Sequence, residues 1–349
     1  MDVRSPIEPP APSVGPPPAR GRRRRRLATL LGAALVLAAC SSTPSAEEVE
    51  TSVEPTAPLI RPTLQFVVND WTASALNVAV AEQLIEANLG YPVVPVRMDD
   101  TREIYEELAD GEVDAVLEIW PSSMSDQDRL YFDRDQVVDI GPLGATGKVG
   151  WFVPQYMIDA DPALAGWEGY TESATAARFA TATSGGRGRF LGTNPDYAQY
   201  DEQLIDNLGL PFTVQYSGSE AATLAEVEAR VEAREPVLLY WWTPTSAVAR
   251  FDLVNVALPA HGPDCTGPSA AAEGRVDCDY PTDELFKAVS VELPARAPEV
   301  LAFLQQFTLT TDDQLSMLTA VEMDGLTIDA AASAWIAANP DRWQPWLGG

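Results

Sequence analysis

Apolar residues along this chain switch between two spacings. Short runs such as "LQFVVND" (residues 64–70) read as strands. "ASALNVAVAEQLIEANLG" instead repeats its apolar positions every three to four residues and ends on Gly90, a residue suited to a helix C-cap. "PVVPVRM", "TREIYEELADGE" and "VDAVLEIW" (residues 113–120) continue as strand, helix and strand. A second such stretch opens near "GKVGWFVP" (residues 147–154). It adds the helix "YDEQLIDNLGL", the strand "FTVQYSG", the helix "EAATLAEVEARVEARE" and the strand "PVLLYWW", then a further strand, "FDLVNVALP". The chain closes on the helical segments "PEVLAFLQQF", "DDQLSMLTAVEM" and "IDAAASAWIAANPDRW". Strands alternating with helices predict an α/β fold with a parallel sheet and crossover connections. The span 61–349 is long for one core, so two lobes are expected. Residues 61–145 form the first part of lobe 1, 146–249 form lobe 2, and 250–349 return to lobe 1.

The first sixty residues follow another pattern. Arg22 to Arg26 precede an apolar run over residues 27–39, and its 13 residues fall short of the about 20 needed to cross a bilayer as a helix. A basic cluster before a short apolar run has the form of an export signal. Its end, Leu37-Ala38-Ala39-Cys40, resembles the lipobox of bacterial lipoproteins, which implies lipidation of Cys40. Residues 1–40 are therefore read as a lipoprotein signal peptide. Residues 41–60, rich in Ser, Thr, Pro and Glu, read as a disordered tether. The expected location is extracytoplasmic, at the outer face of the cell membrane, held there by acyl chains.

Cysteine usage fits export. With Cys40 lipidated, Cys265 and Cys278 remain as an even pair in an oxidising compartment, where a disulfide is expected. A metal site would need histidine partners, and the chain has one, His261, so neither a metal nor a cofactor is expected. The charge balance is acidic, 51 Asp and Glu against 23 Lys and Arg, and removal of the leader takes away seven Arg. Such a surface repels nucleic acid and suits a cationic solute, although it equally serves solubility.

"LLYWWTP" (residues 238–244) places Tyr240, Trp241 and Trp242 at the end of a strand that the Thr-Pro stops. Strand side chains alternate faces, so Tyr240 and Trp242 share one face and Trp241 points to the core. By the same rule Glu118 and Trp120 share a face. In open α/β sheets ligands sit beyond the carboxyl ends of strands, which is where Trp71 and Trp120 fall. Trp151 begins the second lobe. A single tryptophan is more often core than site. Trp335, Trp343 and Trp346 are assigned to the core on that ground, and Trp167 to a packed surface. Trp71, Trp120, Trp151 and Trp242 stand out by position, two on each side of a presumed cleft. Several aromatic faces around one point suit a desolvated cation without hydrogen-bond donors, such as a quaternary ammonium.

"VVNDWTAS", "VDAVLEIWPSS", "GWFVPQY", "LLYWWTP" and a Cys-loop followed by "DCDYP" together resemble the glycine betaine/choline-binding proteins of ABC transporters. The resemblance runs from about Leu64 to the C-terminus. It implies a two-lobed, periplasmic-binding-protein-like (Venus flytrap) fold with a hinge and an inter-lobe ligand cleft. It also implies a monomeric binding protein, not an enzyme, that delivers a quaternary amine to an ABC permease and its ATPase. Trp71, Trp120, Trp151 and Trp242 would form the cage, with Asp70, Thr72 and Tyr240 completing the site. Two departures concern the rest of the ligand. Thr245 stands where members often carry His, and Ala73 where choline-binding members often carry Asp. Backbone N–H groups at the helix start after Trp71, helped by Thr72 and Ser74, are candidate holders of a carboxylate. Arg187 and Arg189 in "SGGRGRF" are candidate charge partners.

Three other functions compete, one of them a purely structural envelope lipoprotein, which predicts no small ligand. A sugar-binding lipoprotein would also use tryptophan faces, but with more Asn, Asp, Gln and Arg beside them. An exported glycoside hydrolase finds acids in abundance. A Ser-His-Asp hydrolase has only His261 and no Gly-x-Ser-x-Gly elbow.

Overall fold

Burial on both faces gives the first strands their continuous apolar runs. β1 (Leu64–Val68) and β3 (Ala115–Ile119) are such strands, and β3 is buried at every position. The computed structural model describes residues 61–98, 101–197, 199–262 and 265–348. The expected signal peptide, Cys40 and tether lie outside the described residues.

The first stretch runs β1, α1 (Thr72–Leu89), β2 (Val93–Arg97), α2 (Thr101–Asp110), β3, α3 (Asp126–Asp133) and β4 (Val137–Pro154). The second carries α4 (Gln155–Ala160), α5 (Ser173–Arg178), β5 (Gly188–Gly192), α6 (Asp201–Asn207), β6 (Phe212–Tyr216), α7 (Glu220–Ala233), β7 (Leu239–Thr243), α8 (Ser246–Arg250) and β8 (Leu253–Asn255). The chain then adds α9 (Pro268–Ala272), β9 (Thr282–Ser290), α10 (Leu293–Arg296), α11 (Pro298–Gln306), α12 (Thr311–Glu322), α13 (Ile328–Ala338) and α14 (Pro340–Trp343).

One sheet runs through both lobes in the order β2-β1-β3-β9-β4-β7-β5-β6, with β8 alongside β4. Its two outer parts are parallel, as the alternating pattern predicts: β2-β1-β3 on one side and β7-β5-β6 on the other. The middle is not. β9 pairs antiparallel with β3 and β4, and β4 pairs antiparallel with β7. Pairing of β4 with β9 slips between Asp139 and Pro142 and again between Pro142 and Thr146. Gly144, at φ 106°, sits in this bend, where a Cβ would also meet the Leu309 carbonyl oxygen at 3.2 Å. β4 is thus one 18-residue strand that bends from lobe 1 into lobe 2, and it passes straight through the boundary expected after residue 145.

Each lobe has its own core. In lobe 1, α1 buries Leu76, Val80 and Leu84 against Phe303 of α11, Met317 of α12 and Trp335 of α13. Trp346 packs in the same cluster, with Trp343 half-buried beside it. In lobe 2, Phe190, Leu191, Phe212 and Leu239 gather around Trp151 and Tyr170. Cys265 and Cys278 are joined by a disulfide, Cα to Cα 5.6 Å, in the loop that leads into β9.

Candidate functional site

Strand ends from both lobes converge on one cavity. Trp71 is the N-cap of α1, just past β1, and Trp120 follows β3. Tyr240 and Trp242 come from β7, and Tyr197 from the segment between β5 and α6. All five line the cavity, together with Asn69, Glu118, Val149 and Asp196, and it continues between β3 and α2 past Ile104, Tyr105 and Met124. Among the described residues, none of those lining it is Arg, Lys or His.

Glu118 organises the lobe 1 side. Its Oε1 accepts from both indole N–H groups, Trp71 at 2.7 Å and Trp120 at 3.0 Å. Its Oε2 accepts from Asn77 Nδ2 at 2.6 Å and Gln314 Nε2 at 3.3 Å. Gln314 also donates to Asn77 Oδ1 at 3.1 Å, which ties α12 to α1. Burial pushes the Glu118 pKa up, and these four donors offset only part of that rise. Each donor faces a carboxylate oxygen, so a proton there would find no acceptor, and the geometry holds the ionised form. The result is a buried anion behind two fixed indoles.

Trp120 also has a backstop. Gly147 of β4 lies against its six-membered ring, where a Cβ would sit 2.2 Å from Cζ3. Tyr197 closes the gap between lobes. Its ring meets Trp71 edge-on at 5.8 Å and Trp242 edge-on at 5.9 Å, while its hydroxyl donates to the Asp70 carbonyl oxygen at 2.7 Å. Tyr240 tilts against Trp242 at 6.3 Å. The strand alternation is as expected, with Tyr240 and Trp242 on the cavity and Trp241 off it. Trp241 nevertheless stacks on the back of Trp242, centroids 4.3 Å apart and planes 25° apart, and its N–H donates to Thr245 Oγ1 at 2.7 Å.

The structure therefore brings together Trp71, Trp120, Trp242 and Tyr240. Trp151 is placed elsewhere: it is fully buried in lobe 2, tilted against Phe190, with its N–H donating to Asp201 at 2.6 Å. The reason is register. Trp151 pairs with Tyr240, and Val149 with Trp242, across β4 and β7, so Trp151 shares their face but lies two residues beyond the cavity-lining Val149, where the lobe 2 core covers it. Asp70 is at the rim, paired with Arg97 and accepting from Asn194 Nδ2 at 3.2 Å. Thr72 N–H and Oγ1 donate to Glu220 of α7 at 2.9 and 3.1 Å, so the α1 N-terminus already holds a carboxylate of the protein. Ser74 accepts from Asn69 N–H and donates to its side chain, both at 3.0 Å. Arg187 donates to the carbonyls of Phe212 and Leu210, and Arg189 pairs with Glu226, both within lobe 2. Tyr197, Gly147 and Asn77 were not read from the sequence. Tyr197 lies in an irregular segment without periodicity, and Gly147 and Asn77 act only through partners distant in the chain.

Fold and site define a two-lobed solute-binding protein with its cleft between the lobes. Residues 62–338 match the substrate-binding domain of the ABC-type glycine betaine transport system, and the chain belongs to that family. The trimethylamine N-oxide-binding protein of Pelagibacter ubique (strain HTCC1062) is 26% identical over 303 residues, 85% of this chain and 93% of the relative. Among solved structures, lactococcal OpuAC in its closed, glycine betaine-bound conformation is similar with a TM-score of 0.62 at 19% identity, covering 82% of this chain and 99% of that one. A choline-binding protein of an ABC transporter, in complex with choline, gives 0.64 at 21% identity, covering 82% and 92%. Those structures share the two-lobed, periplasmic-binding-protein-like fold.

Proposed function

We propose that this protein captures a solute bearing a trimethylated nitrogen in a cage of Trp71, Trp120, Trp242, Tyr240 and Tyr197, and delivers it to an ABC permease and its ATPase. The observation that carries this reading is the set of aromatic rings around one cavity, two of them pinned by a buried carboxylate. A trimethylammonium head has no N–H to donate, so ring faces are its natural partners, each contributing about 0.5–2 kcal/mol. Glu118 adds a negative charge close behind the rings. Because that carboxylate already accepts four hydrogen bonds, it is unsuited to the acid–base work of a hydrolase. The ligands named for the relatives, glycine betaine, choline and trimethylamine N-oxide, share the trimethylated head. Cys40 carries the lipid, residues 41–60 are the tether, and the binding domain works as a monomer outside the cytoplasmic membrane.

The test uses protein recovered from the membrane fraction, where Cys40→Ala should instead leave it soluble. Tryptophan fluorescence is titrated with choline, glycine betaine, trimethylamine N-oxide, carnitine and a maltodextrin. Saturable changes with trimethylated amines at about micromolar concentration, and none with maltodextrin, are expected. A response to maltodextrin alone, or to no amine, would sink the reading.

A further inference from the structure

The α1 N-terminus is a ready-made anion site beside the cage, since Thr72 directly follows the cage residue Trp71. It is an 18-residue helix, and its N-terminal amides carry the positive end of its dipole. In the structure that end is filled from the opposite lobe. Glu220, the first residue of α7, puts Oε2 on Thr72 N–H at 2.9 Å and on Thr72 Oγ1 at 3.1 Å. The side chain is buried, with 7% of the residue exposed. The charged groups that face it are themselves acidic: Glu322 of α12 and Glu118 of β3. Glu322 in turn accepts from Ser246 of α8 across the same seam and feels Arg250.

A carboxylate surrounded by other carboxylates is held at this point by the helix end and Thr72. A second carboxylate, brought by a ligand, would meet the Glu220 carboxylate on Thr72 N–H and, among the described residues that line the cavity, no Arg, Lys or His. We propose that Glu220 is a specificity-determining residue: it occupies the α1 N-terminus in place of a ligand carboxylate, so the site favours trimethylated amines that carry none. This rests on the reading of the cavity as a trimethylammonium cage. Choline, trimethylamine N-oxide and tetramethylammonium then fit the closed cleft, whereas glycine betaine brings a carboxylate against Glu220, Glu322 and Glu118. Glu220 also fastens the lobes, because its two hydrogen bonds join α7 to α1.

The experiment is calorimetric titration of the wild-type protein, Glu220→Gln and Glu220→Ala with tetramethylammonium, choline and glycine betaine, with a thermal melt of each variant. In the wild type, choline and tetramethylammonium should bind on the order of tenfold tighter than glycine betaine. That ratio corresponds to about 1.4 kcal/mol. Both substitutions should raise glycine betaine affinity relative to tetramethylammonium. Glu220→Gln, which keeps an acceptor for Thr72, should do so with the smaller loss of melting temperature. Wild-type preference for glycine betaine overturns the proposal while leaving the cage intact. So does an equal loss for all three ligands in both variants, because that would make Glu220 a clasp alone. Absence of binding by any of the three overturns both the proposal and the cage.

Discussion

Trp241 and Trp242 are neighbours in sequence with different surroundings. Trp242 faces the cavity, and Trp241 is 1% exposed behind it. Truncating Trp242 to Ala should weaken binding of a trimethylated amine by about 1–2 kcal/mol, roughly five- to thirtyfold in dissociation constant. Trp241→Ala leaves a core cavity and should cost about 3–5 kcal/mol of stability. It also removes the ring on which Trp242 stacks, so affinity should fall as well, by less than for Trp242→Ala. Affinity titrations and denaturant melts on both variants check this. If Trp241→Ala left affinity untouched, the stacked pair would not act as a unit. Strand alternation alone separated the two roles, and the stack that couples them was visible only in three dimensions.

Among the elements, β4 does the most to build the site. It carries the bend between lobes, and its Gly147 makes room for the Trp120 ring. Trp120 cannot swing away freely, because its N–H is fixed on Glu118. Gly147→Ala should therefore displace that ring and weaken ligand binding by at least as much as loss of one ring contact, about 1–2 kcal/mol. The far-ultraviolet circular dichroism should stay unchanged. Wild-type affinity in Gly147→Ala would show that Trp120 is not part of the cage. β5 and β9 were not legible as strands. β5 reads "GRFLG", and a Cβ at Gly188 would stand 2.5 Å from the Phe212 ring, so its glycines serve packing and hide the strand pattern. β9 carries Lys287 in its buried part, where the ammonium donates to Leu304 O at 2.7 Å and to Phe307 O at 2.5 Å. A charge satisfied by distant carbonyls looks polar in a local window.

For the molecule as a whole, two buried acids tie stability to pH. Burial pushes Asp201 up to about 7, against hydrogen bonds from Trp151 and Tyr280 that lower it, with Glu202 adding to the rise. Glu220 is also pushed up to about 7, first by burial. Both are raised above the about 3.9–4.3 of an unfolded carboxyl, so the folded state holds these protons more tightly. Their contribution is fully present below that range and is lost as pH rises through about 7. The unfolding midpoint should accordingly be higher at pH 6 than at pH 8. Asp201→Asn should reduce that difference without abolishing it, since Glu220 titrates in the same window. A midpoint that rises from pH 6 to pH 8 in the wild type would contradict the assignment.

By itself the sequence determined the alternation of strands and helices, the shared face of Tyr240 and Trp242, and the strand-end positions of Trp71 and Trp120. These are local properties, set by side-chain spacing of two or of three to four residues. Tertiary structure alone decided the antiparallel centre of the sheet, the burial of Trp151, the arrival of Tyr197 between two indoles, and the filling of the α1 N-terminus by Glu220. Each of these depends on contacts between segments far apart in the chain, such as Thr72 with Glu220 or Asn77 with Gln314. Local spacing sets which face a side chain takes, but the folding of two lobes about one bent strand sets what that face meets.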